Sequence, residues 1–201
     1  MPLPRNDAGD FVAGVPLWWH PGRLPKQVEQ TRDYILGWLG PEAHKAKPVN
    51  GALLYGPPGT GKTSAGVAVL YTWGKSTIEG GQQLGPLAMF QDFAELMLRI
   101  RSSWRKDALI TTEQIIAEML SPKILMLDDI GKRAAPEDQE ALGTIVNARI
   151  NRGRPTICTT NSDLGTEAGR KEFAAACDTR VLERYRGSTP AVLGQNLRAK
   201  P

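Results

Sequence analysis

Gly56-Pro57-Pro58-Gly59-Thr60-Gly61-Lys62-Thr63 sets glycines where a backbone must fold tightly and follows them with a cation and a hydroxyl, in the pattern G-x-x-x-x-G-K-[ST]. The glycines let successive N–H groups point inward at an anion, Lys62 adds a point charge for β- and γ-phosphates, and Thr63 offers a hydroxyl to Mg²⁺. With Ser64 the string is a candidate cradle for ATP. Further on, Ile124-Leu125-Met126-Leu127 runs into two adjacent carboxylates, Asp128 and Asp129. After a phosphate cradle in the same chain, Asp128 can hold Mg²⁺ directly or through water, and Asp129 can polarise an attacking water. Thr156 to Asn161 ends a third apolar run in an amide. Asn161 there can report on the γ-phosphate or the attacking water, or simply cap the next turn. Arg180 and Arg184 stand four apart on one helical face. They read either as a solvated basic helix or as a source of one arginine for a neighbouring subunit's ATP site.

These groups work only if elements hold them. Short apolar runs at Gly51 to Tyr55, Leu87 to Phe90, Ile124 to Leu127, Thr156 to Thr159 and, more weakly, Ala191 to Leu193 alternate with stretches of helical period. That order predicts a mainly parallel, five-stranded sheet covered by helices. The cradle follows one such strand and precedes the helical stretch Ser64 to Trp73, which is the context a phosphate loop needs. Phe93, Leu96, Met97, Ile100 and Trp104 form one apolar helical stripe, with Arg99, Arg101, Arg105 and Lys106 mostly opposite. Another helix is expected after Pro136, with Glu137 and Asp138 near its positive end and Leu142, Ile145, Val146 and Ile150 inward. Before Gly51 the chain is rich in proline around one helical stretch, Gln27 to Leu39, whose Tyr34, Ile35, Trp38 and Leu39 predict docking on the domain C-terminal to it. Residues 1–50 thus read as an arm with one helix. Trp18-Trp19-His20 within it reads as a partner anchor, or as packing on the domain or beside the adenine pocket.

The chain has 201 residues, 41% of them hydrophobic and 23% charged, which suits one globular α/β domain and excludes wholesale disorder. No apolar run approaches the roughly 18 residues that a membrane span needs, and the first ten residues lack an export signal. Cys158 and Cys177 are too few for a disulfide scaffold and lack zinc-site spacing, so a reducing cytoplasm is expected. The net charge of +4 is uneven. From Arg149 onward ten Lys/Arg face five Asp/Glu, a basic bias that can attract a phosphate polyanion.

Gly56 to Thr63, the string Leu127-Asp128-Asp129-Ile130-Gly131, Arg154-Pro155-Thr156 followed by Thr159-Thr160-Asn161, and Arg180-Val181-Leu182-Glu183-Arg184 together resemble the AAA+ ATPases of the bacterial replicative-helicase loader family, DnaC and DnaI, with the transposition helper IstB close by. The resemblance implies a three-layer αβα P-loop fold over residues 51–201 without a full helical lid. It implies Mg-ATP as ligand, bound by Gly56, Pro57, Pro58, Gly59, Thr60, Gly61, Lys62, Thr63 and Ser64, with Thr63 and Asp128 on the metal. It implies Lys62, Asp129, Asn161 as sensor 1, Arg184 as a finger in trans with Arg180 auxiliary, and Arg198 as a sensor 2-like arginine for hydrolysis. The expected partners are further copies or a homologous AAA+ protein, a DnaB-type helicase, and single-stranded DNA met by a channel-facing helix bearing Arg99, Arg101, Arg105 and Lys106. Alternatives are an IstB-like helper on duplex DNA and a nucleotide-gated adaptor without turnover. Asp129 departs from the usual glutamate, and residues 1–50 are short for a helicase-binding domain.

Overall fold

The computed structural model describes residues 12–14, 24–39, 51–79, 87–131, 135–177, 179–185, 191, 192 and 197. In chain order the elements are β1 (Val12–Ala13), α1 (Lys26–Leu39), β2 (Gly51–Tyr55), α2 (Lys62–Glu79), β3 (Ala88–Asp92), α3 (Phe93–Ser102), α4 (Thr112–Leu120), β4 (Ile124–Asp128), α5 (Pro136–Asn151), β5 (Thr156–Thr160), α6 (Glu167–Ala176) and α7 (Thr179–Arg184). The strands form one sheet in the order β1-β3-β4-β5-β2, every pair parallel.

Period-two alternation divides the strand side chains between two cores. Leu53, Cys158 and Leu127 stand abreast by register and face the buried stripes of α3 to α7, including Leu96, Ile115, Ile145, Phe173 and Val181. Ala52, Ile157, Met126 and Phe90 face the opposite way, onto α1 and α2 through Ile35, Leu39, Val67 and Leu70. Covered on both sides, β4 and β5 are buried along their whole length. This is why β4 reads as a continuous apolar run rather than an alternating one, and why β5 carries small and β-branched residues throughout.

Three expectations shift. Of the apolar positions expected to dock α1, Ile35 and Leu39 are buried while Tyr34 is 54% exposed; the side chain of Trp38 lies outside the described residues. The weak run at Ala191 shows one parallel bridge, to Tyr55, with Leu193 outside the described residues, while Val12–Ala13 supplies a short edge strand beside β3 that composition did not signal. The stripe on α3 stops early. α3 ends at Ser102 with Ser103 as its C-cap, and the next N–H groups, of Trp104 and Arg105, bond three residues back instead of four, so the α-helical spacing no longer applies to Trp104. Trp104 is 55% exposed rather than packed in the core. Thr111 opens α4 as its N-cap, accepting from Gln114 N while the Gln114 side chain accepts from Thr111 N, a reciprocal capping box.

Candidate functional site

The loop between β2 and α2 is built around its glycines. Gly56 has φ +143° and lies so close to Val192 that a Cβ would stand 2.5 Å from the Val192 carbonyl oxygen. Gly61, at φ +92°, is wedged between Val28 of α1 and Leu197. No other residue type accepts both the backbone conformation and the crowding. Around the loop, Gln27 Nε2 donates to Thr60 O at 2.9 Å and Leu197 N donates to Gly59 O at 2.9 Å. Lys62 is only 7% exposed, and its Nζ donates to Gly56 O at 2.7 Å and Pro57 O at 2.8 Å. The ammonium thus stands inside the ring of the loop, where N–H groups at the start of α2 also gather.

The carboxyl ends of β4 and β5 face this loop, at the edge where parallel α/β sheets take ligands. Thr63 Oγ1 lies 3.0 Å from both carboxylate oxygens of Asp128, and Thr159 Oγ1 donates to Asp128 Oδ1 at 2.6 Å. Burial raises the Asp128 pKa above the usual carboxylate value, the hydrogen bonds from Thr159 and Thr63 oppose that rise, and the charges of Asp129 and Asp92 add to it. A desolvated carboxylate beside a hydroxyl is a hard-oxygen pair, which fits a Mg²⁺ that keeps several waters and takes its other ligands from phosphate. Asp129 turns the chain with φ +60°, a left-handed conformation uncommon for a residue with a side chain. Its Oδ1 accepts from Asn161 Nδ2 at 2.8 Å. Lys62, Thr63, Ser64, Asp128, Asp129, Thr159 and Asn161 all line one cleft of about 580 Å³, together with Pro25, Pro58 and Leu197.

Sequence spacing brought most of this set together; Thr159 and Gln27 stood in quoted stretches without a role and Pro25 and Leu197 were not singled out, since only the tertiary approach of distant segments reveals what they do. Arg184 ends α7 exposed and does not line the cleft of its own chain. Arg180 is exposed on the same helix. Arg198, Trp18, Trp19 and His20 lie outside the described residues. The expected basic track on α3 is altered: Arg101 pairs with Asp138, a 5%-exposed acid at the start of α5, and Arg99 pairs with Glu118 on α4. Arg105 and Lys106 remain exposed beside Trp104, Leu109 and Ile110. The basic final quarter is thinner than its charge count, because Arg149 is fully buried and Arg154 donates to the carbonyls of Leu120 and Ser121.

A family model described as the ATPase family associated with various cellular activities (AAA) matches residues 52–165. A proteasome-associated ATPase of Acidothermus cellulolyticus is 48% identical over 62 residues, covering 29% of this chain and 11% of that protein. The replication factor C large subunit of Nanoarchaeum equitans is 28% identical over 144 residues, covering 68% of this chain and 27% of that protein. The chain thus spans only about a tenth to a quarter of the length of these curated relatives. The crystal structure of the DnaC helicase loader matches the fold with a TM-score of 0.61 at 23% identity, covering 87% of this chain and 94% of that one.

Proposed function

The chain belongs to the ATPase family associated with various cellular activities (AAA), and on that premise we propose a helicase-loader-like ATPase that binds and hydrolyses Mg-ATP, assembles with copies of itself or a homologous AAA+ protein, and helps load or remodel a DnaB-type helicase on single-stranded DNA in the cytoplasm. Residues 51–201 would form the ATPase domain, with residues 1–50 as an arm that contacts it. The observation that carries the ATPase reading is the meeting of Thr63 and Asp128 at 3.0 Å beside Lys62, in a cleft that Asp129 and Asn161 also line.

In this reading the loop from Gly56 to Ser64 binds the phosphates through backbone N–H groups, and Lys62 moves its charge from the loop carbonyls to the β- and γ-phosphates. Thr63 and Asp128 would hold Mg²⁺, which when bound neutralises phosphate charge during transfer. Asp129 takes a proton from the attacking water, held in place by Asn161. Arg184, exposed and away from its own cleft, would reach the cleft of a neighbouring copy. Leu197 N donates to the phosphate loop, which supports a role in cis for Arg198, the next residue.

The fold likeness to the DnaC helicase loader, over nearly the whole of that chain, supports the loader reading. So does the corner after α3, where an exposed Trp104 adjoins Arg105 and Lys106, the pairing of stacking surface and cations that holds single strands. One observation favours a second reading, a nucleotide-gated adaptor without turnover: the Asp129 carboxylate is engaged by Asn161. Phosphate release above background excludes the adaptor. For DNA, anisotropy of a labelled single strand with Mg-ATP should show affinity lowered about 5-fold or more, with a flatter salt dependence, when Trp104, Arg105 and Lys106 are replaced together by Ala. Calorimetric ATP binding should be unchanged. Equal affinity and equal salt slope would remove this corner from the DNA surface.

A further inference from the structure

Thr159 stands near the carboxyl end of β5, the strand between β4, which carries Asp128, and β2, which leads into the phosphate loop. Its side chain is 2% exposed. The hydroxyl donates its one proton to Asp128 Oδ1 at 2.6 Å and accepts from Asp129 N at 2.8 Å, while the Thr159 carbonyl accepts from Ile130 N at 2.8 Å. A hydroxyl can do both at once, since it has one proton and two lone pairs. The turn it receives is the left-handed one at Asp129, φ +60°, a conformation that an L side chain adopts only when the surroundings impose it. Beyond that turn the Asp129 carboxylate accepts from Asn161, two residues further along β5's own chain path.

One side chain therefore sits between the carboxylate that would hold the metal and the backbone that aims the acid for water. We propose that Thr159 is a positioning residue of this site: its hydroxyl couples the orientation of the Asp128 carboxylate to the turn that presents Asp129 to Asn161. The inference rests on the ATPase reading above. Thr159 touches neither nucleotide phosphates nor the reacting water in this scheme and acts through the two acids. Its branched shape suits a buried strand, but so would that of valine; the hydroxyl is what the geometry uses.

The test compares Thr159→Val, which keeps the shape and removes the hydroxyl, with Thr159→Ser, which keeps the hydroxyl, in the full chain. Calorimetry with ATP alone should give affinities within about twofold of wild type for both variants. Adding Mg²⁺ should strengthen binding to wild type and Thr159→Ser but about 10-fold less to Thr159→Val, the scale on which groups behind a metal ligand act. Turnover should follow the same order, with kcat reduced about 10-fold or more in Thr159→Val and KM for Mg-ATP changed less. Wild-type Mg²⁺ dependence and kcat in Thr159→Val overturn the assignment, as does Thr159→Ser behaving like Thr159→Val. If Thr159→Val fails to fold, Thr159→Ala carries the same comparison, and unfolding of both makes the hydroxyl a structural fastening and overturns the positioning role. A wild-type chain that neither binds Mg-ATP nor hydrolyses it refutes the ATPase reading and this inference together; an active wild type matched by Thr159→Val refutes only the latter.

Discussion

Asp128 is only 9% exposed; the Thr159 hydroxyl reaches its Oδ1, and the Thr63 hydroxyl lies equally close to Oδ1 and Oδ2. Burial is the main cause of its raised pKa. A carboxyl that binds its proton more tightly folded than unfolded adds stability below its unfolded pKa, and that stability is lost as pH rises through the folded value. Ionising Asp128 in the nucleotide-free protein therefore carries a cost. Asp128→Asn retains an oxygen at the Oδ1 position and cannot titrate. Its thermal midpoint relative to wild type, measured without nucleotide, should rise with pH through and above the carboxylate range. A difference that is flat with pH would contradict this. The pairing of Lys62 and Thr63 with Asp128 was legible in the sequence because each motif is a contiguous string. The burial of Lys62 beneath its own loop was not, because an isolated loop reads as exposed, and only Gly56 and Pro57 carbonyls folded over the ammonium show otherwise. Nor was the left-handed turn at Asp129, which depends on the register of β4 against β5.

At the scale of elements, Arg149 near the end of α5 fastens three segments. Its Nε donates to Thr156 Oγ1 at 2.8 Å, Nη1 to Met119 O and Pro122 O at 2.9 Å each, and Nη2 to Pro155 O at 3.0 Å. These partners lie at the end of α4, in the turn into β4 and at the start of β5, opposite the edge that carries the site. Desolvation lowers its pKa to about 10, so it stays charged at neutral pH. Arg149→Met fills similar volume but leaves the buried Met119 and Pro122 carbonyls without their donor, while Pro155 O keeps Leu125 N. It should cost about 3 kcal/mol or more in denaturant unfolding, with ATP affinity in the folded fraction unchanged. A loss below about 0.5 kcal/mol, the range of an ordinary surface substitution, would show that water replaces the guanidinium. In the sequence Arg149 only added to the basic final quarter, since a charge count cannot see burial. Arg101 misled similarly: it lies on the flank of the apolar stripe, one turn after buried Met97, and Asp138, distant in sequence, claims it. β2 and β4 were legible because burial on both faces leaves a nearly continuous apolar signature, whereas β3 and β5 showed as shorter apolar or β-branched runs bounded by polar residues. The two-residue β1 has too little length to leave one.

For the whole molecule, the sheet order places the loop and both acids at one edge, while α7 carries Arg184 away from the cleft of its own chain. If Arg184 completes a neighbour's site, Lys62→Ala and Arg184→Ala proteins, each inactive alone, should recover measurable phosphate release when mixed with ATP, because one lends its arginine to the other's intact cradle. No recovery together with full activity of Arg184→Ala would make α7 a solvated basic helix. That this cleft hydrolyses ATP is tested most directly by phosphate release from saturating Mg-ATP, measured for wild type and Asp129→Asn beside calorimetric binding in the same preparations. Both should bind Mg-ATP with affinities within about threefold, and turnover should fall about 100-fold or more in Asp129→Asn, since an amide cannot take the proton of the attacking water. Equal turnover in the two proteins, or no binding of Mg-ATP by wild type, would contradict it.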